Sequence, residues 1–357
     1  MPASPAIPDL VATPYPDRSS ERDEWILAQR PERNRLDPFR PYAHFLEEEP
    51  SPSGEIVPVA TIFLTNRECP WRCAMCDLWR NTLATATPPG AIPAQIDFAL
   101  TELSTTASAQ QKSYHPERRA QREVEGPAFS FARALKLYNA GSFFDPRAIP
   151  PADYPAIAGR IRSFERIIVE CHPALIGDKV LRFRDLLNGA QLEVAMGLET
   201  AHPGVLEKLN KRLTLGLFQS AADFLRAHSI DLRVFILVQP PFMDPGESLD
   251  WAERSLDFAF DCGATAATLI PTRGSNGAME ALAASGDFTA PALAPLEAAV
   301  SYGLNLRRGR VFSDLWDLPR PIDCPRCRDA RITRLRNMNR LQAAAPPVAC
   351  ASCGGSA

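Results

Sequence analysis

The sequence predicts an α/β fold in which six strand–helix repeats form a partial (β/α)6 TIM-like barrel. Short β-branched runs alternate with amphipathic helical patterns from about residue 56 to residue 315. This alternation is typical of parallel strands joined by right-handed crossovers. The chain has 357 residues, of which 45% are hydrophobic, so it can bury a barrel core without disulfide bonds.

Six short apolar runs are the predicted strands, and they lie at residues 58–66, 134–140, 166–171, 192–199, 232–239 and 267–271. The segments between them, such as YPAIAGRIRSF and LFQSAADFLRAH, carry the period of amphipathic helices. In barrels of this kind, functional side chains gather at the carboxyl ends of the strands. Residues that directly follow the predicted strands are therefore candidates for function.

Changes in composition divide the chain into three parts. Residues 1–55 are rich in proline and charge, which predicts an irregular N-terminal extension that wraps around the barrel or stays loose. Residues 56–315 form the core domain, and residues 316–357 form a small cysteine-rich module of zinc-ribbon type. The polar segment 104–126 interrupts the first repeat, and we interpret it as a solvated insertion loop, with a loop that contacts substrate as the alternative.

Three cysteines follow the first predicted strand, in the stretch LTNRECPWRCAMCDLWRNT. Cys69, Cys73 and Cys76 have the spacing C-x3-C-x2-C, and no fourth cysteine lies beside them. Three thiolates leave one iron of a four-iron cluster without a protein ligand, and that iron can bind a small molecule through an amine and a carboxylate. A zinc site is the alternative, but zinc would require a fourth ligand nearby.

The stretch CPWRCAMC resembles the signature of the radical S-adenosylmethionine (SAM) superfamily, although Met75 stands where many members have an aromatic residue. The run MGLETAHPGVLEKLNKRL is similar to the domain type of the Elongator catalytic subunit, MiaB and NifB. Together with GSFFDP and VQPPF, it also resembles the radical SAM subunit of archaeosine synthase, a tRNA-modifying enzyme, and its bacterial relatives. The resemblance covers roughly residues 55–330 and implies a 4Fe–4S cluster on Cys69, Cys73 and Cys76.

The segment NAGSFFDP follows the second predicted strand, where radical SAM domains carry a glycine-rich turn whose backbone receives the SAM amino group. The resemblance thus implies that Gly141 and Ser142 contact SAM. Glycine permits close approach of the backbone to a ligand. An ordinary turn at the end of a strand is the alternative.

Carboxylates end two further strands, Glu170 in IIVECHP and Glu199 in VAMGLET. A carboxylate at the end of a buried strand requires a partner, because its desolvation would otherwise cost several kcal/mol. SAM offers a sulfonium, an amine and ribose hydroxyls. The alternative is a salt bridge to a barrel arginine such as Arg233 or Arg273.

Two C-x2-C pairs near the C-terminus are separated by 22 residues and supply Cys324, Cys327, Cys350 and Cys353. Four thiolates in this arrangement predict a structural zinc site. An auxiliary iron–sulfur cluster and unliganded thiols are the alternatives. The other two cysteines, Cys171 and Cys262, are predicted to be buried, and Cys171 cannot act with His172 because adjacent strand residues face opposite sides.

Residues 320–340 contain two aspartates and seven arginines, namely Arg320, Arg326, Arg328, Arg331, Arg334, Arg336 and Arg340. Because arginine contacts phosphates in bidentate fashion, an RNA-binding patch is one interpretation. A solvated amphipathic helix and a docking surface for another protein are the other two.

The resemblance implies an enzyme that receives one electron from an external reductant of the flavodoxin or ferredoxin type. It then cleaves SAM to a 5'-deoxyadenosyl radical, which abstracts hydrogen from a substrate. The substrate stays open between a nucleoside in tRNA or other RNA and a small metabolite or peptide. A non-enzymatic iron–sulfur carrier or assembly factor is the hypothesis from another class.

The net charge of −3 and the pI near 6.0 give no overall attraction to nucleic acid or membrane. The N-terminal residues lack the apolar region of a signal peptide, and no run reaches the roughly 18 apolar residues of a membrane span. We therefore expect a cytoplasmic protein without a membrane partner.

Overall fold

One eight-stranded sheet organises the chain and forms a half-barrel. The computed structural model describes residues 14–114, 132–316, 318 and 323–353, and within 107–114 it describes the backbone. The strands follow one another across the sheet in chain order and are β1 (Ala43–Pro50), β2 (Ile56–Phe63), β3 (Ala134–Tyr138), β4 (Arg166–Glu170), β5 (Gln191–Glu199), β6 (Asp231–Val238), β7 (Ala266–Pro271) and β8 (Arg310–Ser313).

Strand β1 runs antiparallel to β2, and the strands from β2 to β8 are parallel. The described helices are α1 (Ser19–Gln29), α2 (Ala91–Tyr114), α3 (Tyr154–Ile161), α4 (Asp178–Leu186), α5 (Pro203–Lys208), α6 (Leu215–Ala227), α7 (Ser248–Asp261), α8 (Ala278–Ser285), α9 (Leu293–Leu306) and α10 (Arg328–Leu341). The main apolar core lies between the sheet and the helices that follow its strands. No helix in the described part of the chain is long and apolar enough to cross a membrane.

All six predicted strands are present, and the prediction of a partial barrel is confirmed. The sheet has two further strands, β1 and β8, one at each edge. Strand β1 falls within the predicted irregular extension, which also contains helix α1, so the prediction was wrong for those residues. Its sequence AHFLEEEP hides the strand, because two of its three glutamates, Glu47 and Glu49, face buried cations.

The prediction of an insertion loop at residues 104–126 was wrong for residues 104–114, because α2 continues to Tyr114. The hydroxyls of Ser104, Thr105 and Thr106 donate to carbonyls three or four residues earlier in the helix. Such bonds satisfy the hydroxyl groups of polar residues within the helix itself. Residues 115–126 lie outside the described residues.

Buried charges fill the amino-terminal half of the barrel interior. Arg233 contacts Glu193 at 2.6 Å and also pairs with Glu49 from the antiparallel strand. Lys136 contacts Glu49 at 2.5 Å, and Arg310 contacts Glu193 at 3.1 Å. Burial alone would raise the pKa of Glu49, but the cations of Arg233 and Lys136 outweigh it and hold that pKa far below its usual value.

Helix α10 covers the free edge of β8. The side-chain amide of Gln342 bonds to the N–H and the carbonyl of Val311 at 2.8 and 2.9 Å. The amide of Asn339 does the same for Ser313 at 2.7 and 2.8 Å. These two side chains take the place of a further strand and satisfy an edge that would otherwise expose unpaired backbone groups.

Candidate active site

The cysteine triplet, Cys69, Cys73 and Cys76, lies in the loop that follows β2. The side-chain amide of Asn276 donates to the carbonyls of Ala74 and Cys76 at 2.8 and 3.0 Å. The amide of Asn210 donates to the carbonyl of Arg72 at 2.7 Å. Two amides from distant loops thus hold the backbone of the cysteine loop.

The three thiols are half-buried and close enough to influence one another electrostatically. Burial raises the pKa of Cys73 well above its usual value, and the neighbouring sulfurs of Cys76 and Cys69 raise it further. Burial likewise raises the pKa of Cys76 to about 12. Metal binding requires the thiolate form of cysteine, which burial disfavours here. A bound group that carries positive charge would stabilise the three thiolates and therefore suits this loop.

The turn after β3 approaches the cysteine loop closely at Gly141. This residue has φ of +153°, and a Cβ placed on it would lie 2.7 Å from Cys69 Cβ. Ser142 is buried, and its hydroxyl accepts from the His172 N–H at 3.1 Å and contacts Cys171 Sγ at 3.3 Å. The hydroxyl of Ser142 therefore faces the protein, and its backbone is the part that a ligand could contact.

Glu170 ends β4 beside the same turn. One of its carboxylate oxygens accepts the N–H of Asn139 at 2.9 Å. Burial raises the pKa of Glu170 to about 7, against the opposing effects of that backbone N–H and of Lys211. A nearby cation would therefore stabilise the charged form of this buried carboxylate.

Glu199 ends β5 and pairs with Lys211, a residue for which the sequence predicted no role. The Lys211 ammonium also donates to the carbonyl of Gly197 at 2.5 Å. A Cβ on Gly197 would lie 2.1 Å from Glu199 Oε1 and 2.2 Å from Lys211 Nζ, so only glycine leaves room for the pair. The run VLEKLNK, which carried part of the family resemblance, was the signal that could have identified this lysine.

The expected alternative partners of these carboxylates lie elsewhere. Arg233 belongs to the buried network with Glu49 and Glu193, and Arg273 pairs with Asp314. Both arginines thus have carboxylate partners other than Glu170 and Glu199. The charges of Lys211 and Glu199 both influence the pKa of Cys73 and that of Glu170, so the triplet and the two strand ends lie within electrostatic range of one another.

The N-terminal segment wraps over the outer side of the cysteine loop. Arg30 and Arg33 contact the carboxylate of Glu68 at 2.7 and 2.6 Å, and Arg30 also lies 4.5 Å from the centre of the Trp79 ring. Met75 packs among the apolar side chains of α1 and α8. The described part of the N-terminal extension therefore wraps around the barrel and does not stay loose, which were the two alternatives that the sequence left open.

The prediction that the two cysteines outside the clusters are buried is confirmed. Cys171 and Cys262 are buried in the main core. Cys171 contacts the hydroxyl of Ser142 and the carbonyl of His172 rather than the imidazole ring. His202 accepts the N–H of Val205 and caps α5.

The sulfurs of Cys324, Cys327, Cys350 and Cys353 all lie within 4.8 Å of one another. The Cys327 and Cys353 sulfurs are 3.8 Å apart, which is about the edge of a tetrahedron with zinc–sulfur bonds of about 2.3 Å. The backbone N–H groups of Ser352 and Cys353 lower the pKa of Cys350 to about 6, as suits a thiolate ligand. An iron–sulfur cube needs wider spacing, because each sulfur binds a different iron.

The arginines of α10 do not all face solvent. Arg331 contacts Glu297 at 2.5 Å, and Arg334 contacts the same carboxylate at 3.2 Å and the carbonyl of Ala345 at 2.7 Å. Arg326 and Arg336 are exposed and make no ion pair with a described residue, whereas Arg320 lies outside the described residues. The cationic face is therefore smaller than the count of arginines predicts.

No protein-family profile matches the chain. It is 25% identical over 130 residues to archaeosine synthase subunit beta of Methanosarcina acetivorans, an alignment that covers 35% of this chain and 38% of that protein. It is 25% identical over 139 residues to the protein of the same name from Thermococcus kodakarensis, covering 38% of this chain and 42% of that one. The alignments thus span about two fifths of those relatives.

Among solved structures, Elp3 from the archaeon Methanocaldococcus infernus, with residues 1–46 deleted, has a TM-score of 0.42 to this chain. Its sequence is 13% identical, and the match covers 52% of this chain and 49% of that one.

Proposed function

We propose that this chain, whose cysteine triplet, half-barrel and similarity to archaeosine synthase subunit beta support its assignment to the radical SAM superfamily, is an enzyme that cleaves SAM reductively. The observation that carries the proposal is the meeting of the triplet, the Gly141 turn and the carboxylates Glu170 and Glu199 at one end of the sheet. Its direct test is the formation of 5'-deoxyadenosine from SAM by the reconstituted wild type and its absence from Cys73→Ala.

In this proposal Cys69, Cys73 and Cys76 hold a 4Fe–4S cluster. The bound cluster would supply the electron that converts SAM to methionine and a 5'-deoxyadenosyl radical, after reduction by an external donor of the flavodoxin or ferredoxin type. The missing side chain of Gly141 lets the turn reach the cysteine loop, where its backbone and that of Ser142 would receive the SAM amino group.

The two strand-end carboxylates would bind the rest of SAM. Glu170, with its pKa raised to about 7, gains most from a cationic ligand. Glu199 is fixed in position by Lys211, which leaves its second oxygen to accept a hydroxyl. The packing of Met75, in the cysteine loop, against apolar side chains of α1 and α8 keeps water away from this side of the site. Exclusion of water protects a reactive radical.

We further propose a nucleoside in RNA, such as tRNA, as the substrate. The similarity to a protein named archaeosine synthase subunit beta supports it, as does the exposed cationic side of α10. Arg331 and Arg334 brace α10 and are unsuitable for a test. The informative residues are Arg326, Arg336 and Arg340, all of which are exposed.

Replacing Arg326, Arg336 and Arg340 together by alanine is expected to weaken retention of tRNA at low salt by about tenfold or more, and to reduce the slope of affinity against salt. The matched control replaces three exposed arginines on the barrel helices, Arg162, Arg182 and Arg254, and should retain tRNA. Filter binding over a salt series measures both. If the wild type binds no RNA at low salt, or both triple variants lose it equally, the proposed substrate is wrong.

We propose zinc as the metal of the four C-terminal cysteines. Metal analysis of the purified chain should find one zinc per chain, and Cys327→Ser should remove it. Because two of these cysteines precede α10 and two follow it, and its end carries the amides that cover β8, loss of zinc should also lower the melting temperature. Cys262→Ala is the control that should keep the metal, and iron in place of zinc would contradict this assignment.

A further inference from the structure

We infer that His172 is a positioning residue that holds the cysteine loop against the SAM-facing side of the barrel. The inference rests on the proposed function. His172 directly follows Cys171 beyond the end of β4 and is 6% exposed.

The imidazole of His172 stacks on the indole of Trp71 within the cysteine loop. The ring centroids are 3.7 Å apart and the planes differ by 11°. Trp71 lies between Cys69 and Cys73, and its carbonyl is 3.6 Å from Cys69 Sγ and 3.2 Å from a guanidinium nitrogen of Arg72. Movement of the indole would therefore shift the sulfurs that flank it.

Both ring nitrogens of His172 are engaged. Nδ1 accepts the N–H of Ala174 at 3.1 Å, so the ring proton resides on Nε2, which donates to the carbonyl of Lys211 at 3.0 Å. Burial, together with the cation of Lys211, lowers the pKa of His172 to about 3. The ring is therefore neutral and its orientation is fixed at any pH at which the protein is studied.

The backbone of His172 makes a third connection, because its N–H donates to the hydroxyl of Ser142 at 3.1 Å. One residue thus joins the cysteine loop, the turn at Gly141 and the loop that carries Lys211. These are the segments that would hold the cluster and SAM. Because these connections come from three different segments, the geometry points to alignment of the cofactor site.

The chain contains a matched control in His202. Like His172, it is followed by proline, and its Nδ1 caps the next helix by accepting the N–H of Val205 at 3.2 Å. Its ring also lies against a tryptophan, Trp251, with centroids 4.4 Å apart. Trp251 belongs to α7 rather than to the cysteine loop. The two histidines therefore share a capping role and differ in whether they contact the triplet's loop.

The test compares the full chain, reconstituted anaerobically with iron and sulfide, as wild type, His172→Phe, Trp71→Leu and His202→Phe. Calorimetry gives the Kd for SAM, and electron paramagnetic resonance follows the change in the reduced cluster when SAM is added. We expect His172→Phe and Trp71→Leu each to raise the Kd about tenfold and to diminish the spectral change. His202→Phe should lower the melting temperature of the metal-free chain through loss of its helix cap, yet leave both readouts unchanged.

Two further measurements separate alignment from stability. Combining His172→Phe with Trp71→Leu should weaken SAM binding no more than the stronger single substitution, because the first removes the hydrogen bonds that orient the ring against the indole and the second removes the indole itself. His172→Gln, which keeps a donor and an acceptor, should recover part of the affinity. Equal Kd values for His172→Phe and His202→Phe would overturn the inference, whereas a wild type that binds no SAM would refute the proposed function instead.

Discussion

Gly197→Ala is expected to destabilise the chain by about 3 kcal/mol, because a buried ion pair must separate or move. A Cβ at this position would lie 2.1 Å from Glu199 Oε1 and 2.2 Å from Lys211 Nζ. The strand is already irregular here, with a bulge between Gly197 and Glu199, so the pair cannot shift without disturbing β5. We expect SAM binding to fall about a hundredfold, as measured by calorimetry, together with the loss of stability in urea.

The control for this substitution is Gly159→Ala. Gly159 lies inside α3, and an added Cβ would have no neighbour within 4 Å. Alanine there should stabilise the chain by about 0.5–1 kcal/mol through its higher helix propensity. If Gly197→Ala is as stable as the wild type and binds SAM equally well, the pair of Glu199 and Lys211 has no part in the site.

Arg233→Met is expected to cost about 4 kcal/mol near neutral pH, because Glu49 and Glu193 would remain buried with one cation fewer each. In the wild type both carboxylates have lowered pKa values, so their pairing stabilises the fold above the unfolded pKa of about 4.3 and is lost as the pH falls below it. In the variant Lys136 and Arg310 still face the two carboxylates, so their pKa values should rise toward the unfolded value. The folded variant should therefore gain less stability than the wild type as the pH rises through about 4.

Urea unfolding at several pH values measures this difference. Arg133 provides the matched control, because it also bridges two glutamates, Glu55 and Glu165, but on the exposed edge of the barrel. Arg133→Met should change stability little at any pH, since water screens exposed pairs. A cost for Arg233→Met that is small and independent of pH would show that the buried charges do not hold β1 to the barrel.

The sequence predicted the parts of this molecule that depend on local pattern. The six central strands are apolar enough on both faces to show in the sequence, and the cysteine spacing and the NAGSFFDP turn are short motifs. Strand β1 could not be predicted in this way, because Glu47 and Glu49 resemble solvated glutamates until Lys136 is seen to face them. Whether a charged side chain meets solvent or a buried partner is decided by contacts with residues that are distant in the sequence.

The same limit applies to the candidate site. The sequence suggested arginine partners for the strand-end carboxylates, whereas the fold brings Lys211 back over the bulge of β5 to Glu199. It also counted Arg331 and Arg334 among the exposed cations, although Glu297 on α9 binds both. His172 and Trp71 are separated by about a hundred positions in the chain and meet only because β2 and β4 end on the same side of the sheet.

The most direct test of the central claim is the chromatographic measurement of 5'-deoxyadenosine after anaerobic reconstitution of the chain and addition of SAM and dithionite. The wild type should form 5'-deoxyadenosine, Cys262→Ala should form it at a similar rate, and Cys73→Ala should form none above background. A wild type that assembles its cluster but releases no 5'-deoxyadenosine, or a Cys73→Ala chain that releases as much as the wild type, would contradict the account.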